Sequence, residues 1–373
     1  MMHAWRIYAL LMLLWVSGCA SLTFEETYRP LRPGPHGWDA LSQDPELSRR
    51  ILGLDPNRVS QRDISDILSK GPTPWLMTIA PLPPWSVEFL NLIKFFVKSG
   101  YPANRIGDPR SNDYRIDWRE RPEIIGGMTA WFYENDGMAP ILIGWSGGGI
   151  LAVHVLHTLN GSPDTEKVRM VSARTGEIEE RTWFRDFHTG ERRPMSALRI
   201  PFAAALAAGG LGRYVQPKIW PIVHGLHQVP DTVHEFLGFK SPQDIFGTDM
   251  LNGSDAGFVE ANRFQAMGSA NVRSIMTDDS YDHFWVVHCN ELLETPEGTV
   301  WVQNYRPDSS HGHRDYRHTI EFSFIEGKRN LFCGEIWHAV KKHWALSAQR
   351  VARTFIEKRS AVSRLGYRGI NEP

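Results

Sequence analysis

The sequence predicts an α/β protein with a mostly parallel central sheet flanked by helices, and three observations lead there. Between Trp75 and Leu159, short apolar runs of strand length alternate with longer segments of helical apolar spacing. One of those runs passes without interruption into a glycine-rich turn and a second apolar helix, Gly144-Trp145-Ser146-Gly147-Gly148-Gly149-Ile150. The chain of 373 residues, 42% hydrophobic and 22% charged, is long and apolar enough for one large core, which excludes disordered and disulfide-scaffold classes. With 41 Lys and Arg against 42 Asp and Glu, nothing in the charge points to nucleic acid.

The first element is an address. Residues 1–18 carry Arg6, then an apolar run from Ile7 to Val16, then Ser17 and Gly18. Ten residues of helix reach only about 15 Å, half a bilayer core, so the run reads as a signal peptide and not as a membrane span. Val16-Ser17-Gly18-Cys19 resembles the lipobox of bacterial lipoproteins. That resemblance implies cleavage before Cys19, lipid on its sulfur, and membrane attachment through acyl chains. Ala20 and Ser21 stand where an inner-membrane retention signal would usually show Asp, so the expected location is the outer membrane, facing the periplasm. In that compartment the other two cysteines, Cys289 and Cys333, either pair or remain two separate buried thiols. Residues 19–74 read as anchor, Pro-rich tether and N-terminal extension, leaving 75–373 for the globular domain.

Within that domain Trp75 to Ala80 reads as a buried strand ended by Pro81, Pro83 and Pro84. Val87, Leu90, Ile93, Phe96 and Val97 mark a helix from Ser86 to Ser99 that Gly100 closes. A short extended stretch near Ile106, a helix from Arg121 to Asn135, and the strand Pro140 to Ile143 complete the approach to Ser146. The spacing G-x-S-x-G is what a sharp strand-to-helix turn needs, because the serine backbone is strained and its neighbours pack too closely for a side chain.

On these residues the chain resembles the α/β-hydrolase superfamily, most closely its lipases and esterases, over about Trp75 to Leu159. The resemblance implies Ser146 as nucleophile, with the Gly147 N–H as one oxyanion donor. Lipases commonly carry a His-Gly pair after the strand equivalent to Trp75–Ala80; here the chain reads Ala80-Pro81-Leu82-Pro83-Pro84, and prolines donate nothing. The second donor then falls to Leu82, with Trp85 and Ser86 as alternatives. An acid and then a histidine should follow in chain order. Val272–Met276 reads as a strand delivering Asp278 and Asp279, of which one at most can serve, with Asp255 as an outsider. Thr299–Tyr305 reads as the next strand, delivering His311 and His313, with His313 preferred for the Gly-His-Arg-Asp context around it.

Two rival readings attach to histidines. His311-Gly312-His313-Arg314-Asp315 is similar to the H-x-H-x-D metal string of metallo-β-lactamase-type hydrolases, but Tyr316 stands where a further histidine is usual. His224, His227 and His234 read as an ordinary surface cluster. No cofactor and no metal are expected. Residues 161–270 read as a cap insertion over the nucleophile, its apolar part beginning at Ile200 and pointing to a hydrophobic ester or lipid-like substrate. Residues 331–365 read as a solvated last helix that packs on the sheet. The function expected is cleavage of a carboxylic ester by a Ser-His-Asp acyl-enzyme route. A thioesterase or amidase with the same triad, and a non-catalytic envelope lipoprotein of this fold, remain open.

Overall fold

The computed structural model describes residues 37–82, 88–111, 113–161, 167–208, 227–240, 244, 263–276, 289–307 and 325–368. At its centre is a five-stranded parallel sheet: β1 (Leu76–Ile79), β2 (Ile141–Trp145), β5 (Ile200–Leu206), β7 (Val233–Lys240) and β9 (Asn271–Met276), side by side in that order. Two short pairs accompany it, the hairpin of β3 (Trp183–Arg185) with β4 (Arg192–Pro194) and the parallel pair of β6 (Gln228–Val229) with β8 (Gln265–Ala266). This is the mixed α/β architecture with a parallel central sheet that the alternation of elements predicts.

Alternate residues of each strand feed two cores, one on each face of the sheet. Leu76, Ile141, Ile143, Phe202, Ala204 and Leu237 point into one. Helices α1 (Gly37–Gln43), α2 (Pro45–Leu52), α3 (Gln61–Asp66), α4 (Phe89–Lys98) and much of the C-terminal helix Ile325–Arg368 share that core. Met77, Ile79, Leu142, Ala203, Ala205 and Phe236 point into the other, covered by α5 (Pro122–Asp136) and α6 (Gly147–Leu159). Local signals start and stop these helices. Asp44 caps α2 by accepting from the Glu46 and Leu47 N–H groups, and Ser60 and Asp63 form a capping box on α3. Pro122 opens α5, and Gly137, at φ 72°, closes it in the left-handed conformation.

Four expectations need correction. The 37–70 part of the presumed tether is folded: Leu41, Leu47, Ile51, Ile64 and Leu68 are buried against the C-terminal helix. The C-terminal helix packs on the sheet as expected but is less solvated, because Trp337 and Trp344 are fully buried on it. Trp344 Nε1 donates to the Pro72 carbonyl, and Gln349 Nε2 donates to those of Ile51 and Leu54. Thr299–Tyr305 is not a strand. It belongs to α8 (Pro296–Asn304), which follows α7 (Cys289–Leu292) and precedes the C-terminal helix α9; Thr295 caps α8 and Pro296 opens it. Finally, 161–270 is not a single cap insertion, since it supplies β5 and β7 to the middle of the sheet. Ile200–Leu206 is apolar on both faces because both faces are covered, and its three alanines, good helix formers, disguise a strand. Arg174–Glu177 forms a turn, with Val171 bridged antiparallel to Ile178 and Gly176 at φ 74°.

Cys289 and Cys333 form a disulfide with 5.5 Å between their Cα atoms, fastening α7 to α9.

The buried histidines make the fold acid-sensitive. Burial first, and then the neighbouring charges of His157, Arg350 and Lys341 respectively, push His154, His188 and His338 each down to about 4. Each is neutral when folded, whereas the unfolded chain takes up their protons near pH 6.5. The stability they contribute is therefore complete above pH 6.5 and is lost as pH falls toward 4. Glu235 acts in the same direction at lower pH. Burial would raise its carboxyl, but the hydrogen bonds and charges of His343 and Lys342 hold it well below the carboxylate range. Thermal melts are expected to show a steady fall in midpoint from pH 7 to pH 4.5, on the order of 1–2 kcal/mol per histidine at pH 5. A midpoint constant over that interval would contradict it.

Candidate active site at the carboxyl edge of the sheet

Because all five strands are parallel, their carboxyl ends lie along one edge, where open α/β sheets build their sites. Ser146 sits there between β2 and α6, at φ 54° and ψ −120°. That backbone is costly for a residue with a side chain, by roughly 1–3 kcal/mol, and the surroundings hold it in place. The Ser146 N–H donates to the Leu206 carbonyl at the end of β5, and its own carbonyl accepts from Gly149 and Ile150 in the first turn of α6. The residue is 7% exposed. Among the described residues the only other non-glycine at positive φ is Ala207, at 48°, just past the end of the neighbouring strand β5. Backbone strain is thus concentrated at adjoining strand ends, around the serine.

The flanking glycines are required by close approach. A Cβ on Gly144 would collide with the Gly148 backbone, and one on Gly148 with the carbonyl oxygens of Ile79 and Ala80. A Cβ on Gly149 would lie 2.6 Å from that of Ala208. The start of α6 is therefore wedged against the ends of β1 and β5. Such contact positions Leu82 in the turn beyond β1, since a Cβ on Gly147 would lie 2.5 Å from Leu82 Cδ1 and 3.5 Å from the Trp118 ring.

As the first residue of a helix, Gly147 has an N–H without an intrahelical acceptor, and the positive end of α6 favours negative charge there. The Leu82 N–H makes no hydrogen bond among the described residues either. Two predicted oxyanion residues are therefore brought together beside Ser146, with an apolar wall of Leu82 and Trp118. Trp85 and Ser86, the alternatives for the second donor, lie outside the described residues.

The expected acids and bases are a different matter. Asp278, Asp279, Asp255, His311 and His313 all lie outside the described residues, as do Cys19, His224 and the whole 311–315 metal string. The described element that precedes His311 and His313 is the helix Pro296–Asn304, not the strand expected at 299–305. Among the described residues no group of three or more metal-ligating side chains is found, and no helix is long and apolar enough to cross a membrane.

A carboxylate that sequence reasoning missed is Asp244, four residues beyond the end of β7 and 1% exposed. Its signal in the sequence was the strand before it, Val233–Lys240, hidden inside the presumed cap. Strand spacing favours it over the carboxylates after β9. At about 4.8 Å per strand, β7 is about 10 Å from β2, whereas β9 is about 14 Å away. A serine and a carboxylate bridged by a single imidazole need the shorter span. The described histidines serve the fold: His157 Nε2 pairs with the Gln228 carbonyl, and His188 bonds Thr354 Oγ1 and the Gly137 carbonyl.

No family model, no curated protein and no solved structure matches the chain.

Proposed function

We propose that this chain is a serine hydrolase of the α/β-hydrolase fold that cleaves a carboxylic ester through an acyl-enzyme. The observation that carries the proposal is Ser146: a nucleophilic side chain on a strained backbone between a parallel strand and a helix, with the free Gly147 N–H of the helix start next to it and the Leu82 side chain packed against Gly147. Ser146 Oγ attacks the ester carbonyl carbon while an imidazole takes its proton. The Gly147 and Leu82 N–H groups receive the negative charge that develops on the carbonyl oxygen. The same imidazole then protonates the departing alcohol, and water repeats the sequence to release the acid and free the serine.

In this reading Asp244 orients the imidazole, in place of Asp279 or Asp278. The base comes from the segment that leaves the carboxyl end of β9, where His283 is the first histidine in the sequence, ahead of His311 and His313. The apolar wall of Leu82 and Trp118 favours a hydrophobic or lipid-like ester; Ile200–Leu206, being a strand, no longer bears on the substrate as a lid. The lipobox-like Val16–Cys19 and the Cys289–Cys333 disulfide support an exported, lipid-anchored protein of the outer membrane, because such bonds persist in oxidising compartments.

The test is labelling of the purified chain with a fluorophosphonate probe, followed by peptide mapping. One adduct on Ser146 is expected, absent from Ser146→Ala and from heat-unfolded protein. Folded protein that takes no adduct at Ser146 would rule the proposal out and favour a non-catalytic envelope protein.

A further inference from the structure

At the opposite edge of the sheet, where β2, β5, β7 and β9 begin, lies a cavity of about 410 Å³, within the range of small-molecule sites. Its charge is one-sided. Arg199, Lys342 and Arg350 line it against one carboxylate, Glu235, so three positive charges minus one negative leave +2 with the histidines neutral.

Glu235 is already engaged. Its Oε2 accepts from Lys342 Nζ at 2.7 Å and pairs with His343 Nε2 at 3.0 Å, and its Oε1 accepts from Arg273 at 3.3 Å. Arg273 is shared in turn with Glu335. The nearby Asp186 is held by the Tyr133 hydroxyl, Arg193 and two backbone N–H groups. Arg199 and Arg350 consequently have no carboxylate partner among the described residues; Arg350 instead rests over the Tyr133 ring, 5.8 Å from its centroid. Their joint field is felt by His234 in the same wall. Its imidazole is held below the ordinary range, first by desolvation and then by His343, Arg199 and Arg350. Met138, Pro201 and Leu346 give the cavity an apolar side.

We infer that this cavity is a second binding site, separate from Ser146, for a small organic phosphate, whose phosphate group is gripped by Arg199 and Arg350 beside Lys342. Two guanidinium forks with no competing acid match the several oxygens and double charge of a phosphate monoester. The apolar side takes the carbon body of the ligand. The phosphate has two possible sources, a soluble metabolite or a phospholipid head group, and the chemistry of the grip is common to both.

Titration calorimetry of the full folded chain with pyrophosphate and with inorganic phosphate, at constant ionic strength, tests the site. Saturable binding is expected, weakened at least tenfold in Arg199→Ala/Arg350→Ala, with fluorophosphonate labelling of Ser146 unchanged. Because both arginines are exposed, the double variant is expected to fold; Arg199→Gln/Arg350→Gln, which keeps the stems, should lose binding equally. Flotation with vesicles of phosphatidic acid or of phosphatidylcholine separates the sources. Flotation on phosphatidic acid in excess of that on phosphatidylcholine, removed by pyrophosphate, indicates a head group, and pyrophosphate binding without that excess indicates a soluble ligand. Absence of saturable phosphate binding by the parent chain, or double variants that bind as tightly as the parent, overturns the inference.

Discussion

Asp244→Asn is expected to lower turnover of a p-nitrophenyl ester by about 10³–10⁴, while Asp278→Asn and Asp279→Asn leave the rate largely unchanged. The reason lies in what the carboxylate does. It holds the imidazole in the tautomer that can accept the Ser146 proton and balances the imidazolium that follows; an amide of the same shape preserves packing and presents the wrong hydrogen-bonding partner. Asp244 is buried and follows β7, two strands from the one that leads into Ser146. Since asparagine is nearly isosteric, the melting temperature should change far less than the rate. His283→Ala should show a loss of similar size, and His313→Ala and His311→Ala should not. A collapse of activity in Asp279→Asn, with Asp244→Asn near normal, would put the acid after β9 instead.

The difference between those two assignments shows what could be read from residues alone. Gly144-Trp145-Ser146-Gly147-Gly148-Gly149 is legible because its signals are local: a strand, a turn that excludes side chains and a helix all fall within about a dozen positions. The helices on either side are equally local, which is why Phe89–Lys98 and Pro122–Asp136 lie where their apolar spacing puts them. The partners of Ser146 depend instead on counting strands, and two were miscounted. Ile200–Leu206 is a run of apolar residues containing three alanines, and its pairing with Leu142–Trp145 is known only from the sheet. Val233–Lys240 was obscured by the polar His234 and the charged Glu235 and Lys240, although Glu235 and Lys240 are buried. Missing β5 and β7 left the end of β7 unconsidered as a place for the acid. The helix start Thr295-Pro296 was overlooked in favour of the β-prone Val300-Trp301-Val302, so a helix was read as a strand.

Gly148→Ala is expected to be severely damaging, costing about 3 kcal/mol or more in stability. The added carbon would meet the Ile79 and Ala80 carbonyl oxygens, the latter at 2.5 Å, and both belong to backbone that cannot rotate away. Ile79 is paired with Gly144 in the sheet, so relief requires moving the end of β1 or the start of α6. Either movement separates Leu82 from Gly147, and a displacement of 1 Å in such a constellation costs about a hundredfold in rate. Gly53→Ala is the matching control: its Cβ would meet only carbonyl oxygens 3.6 Å away at ordinary helix-end backbone angles, and it should change stability by less than about 1 kcal/mol. Denaturant titration of both variants, together with the rate of fluorophosphonate labelling, separates the effects. A Gly148→Ala chain that melts and labels like the parent would mean that the elbow has room the close contacts deny. Gly148 would then owe its place to flexibility, and the wedging of the start of α6 against the ends of β1 and β5 would no longer explain how Ser146 is held on its strained backbone.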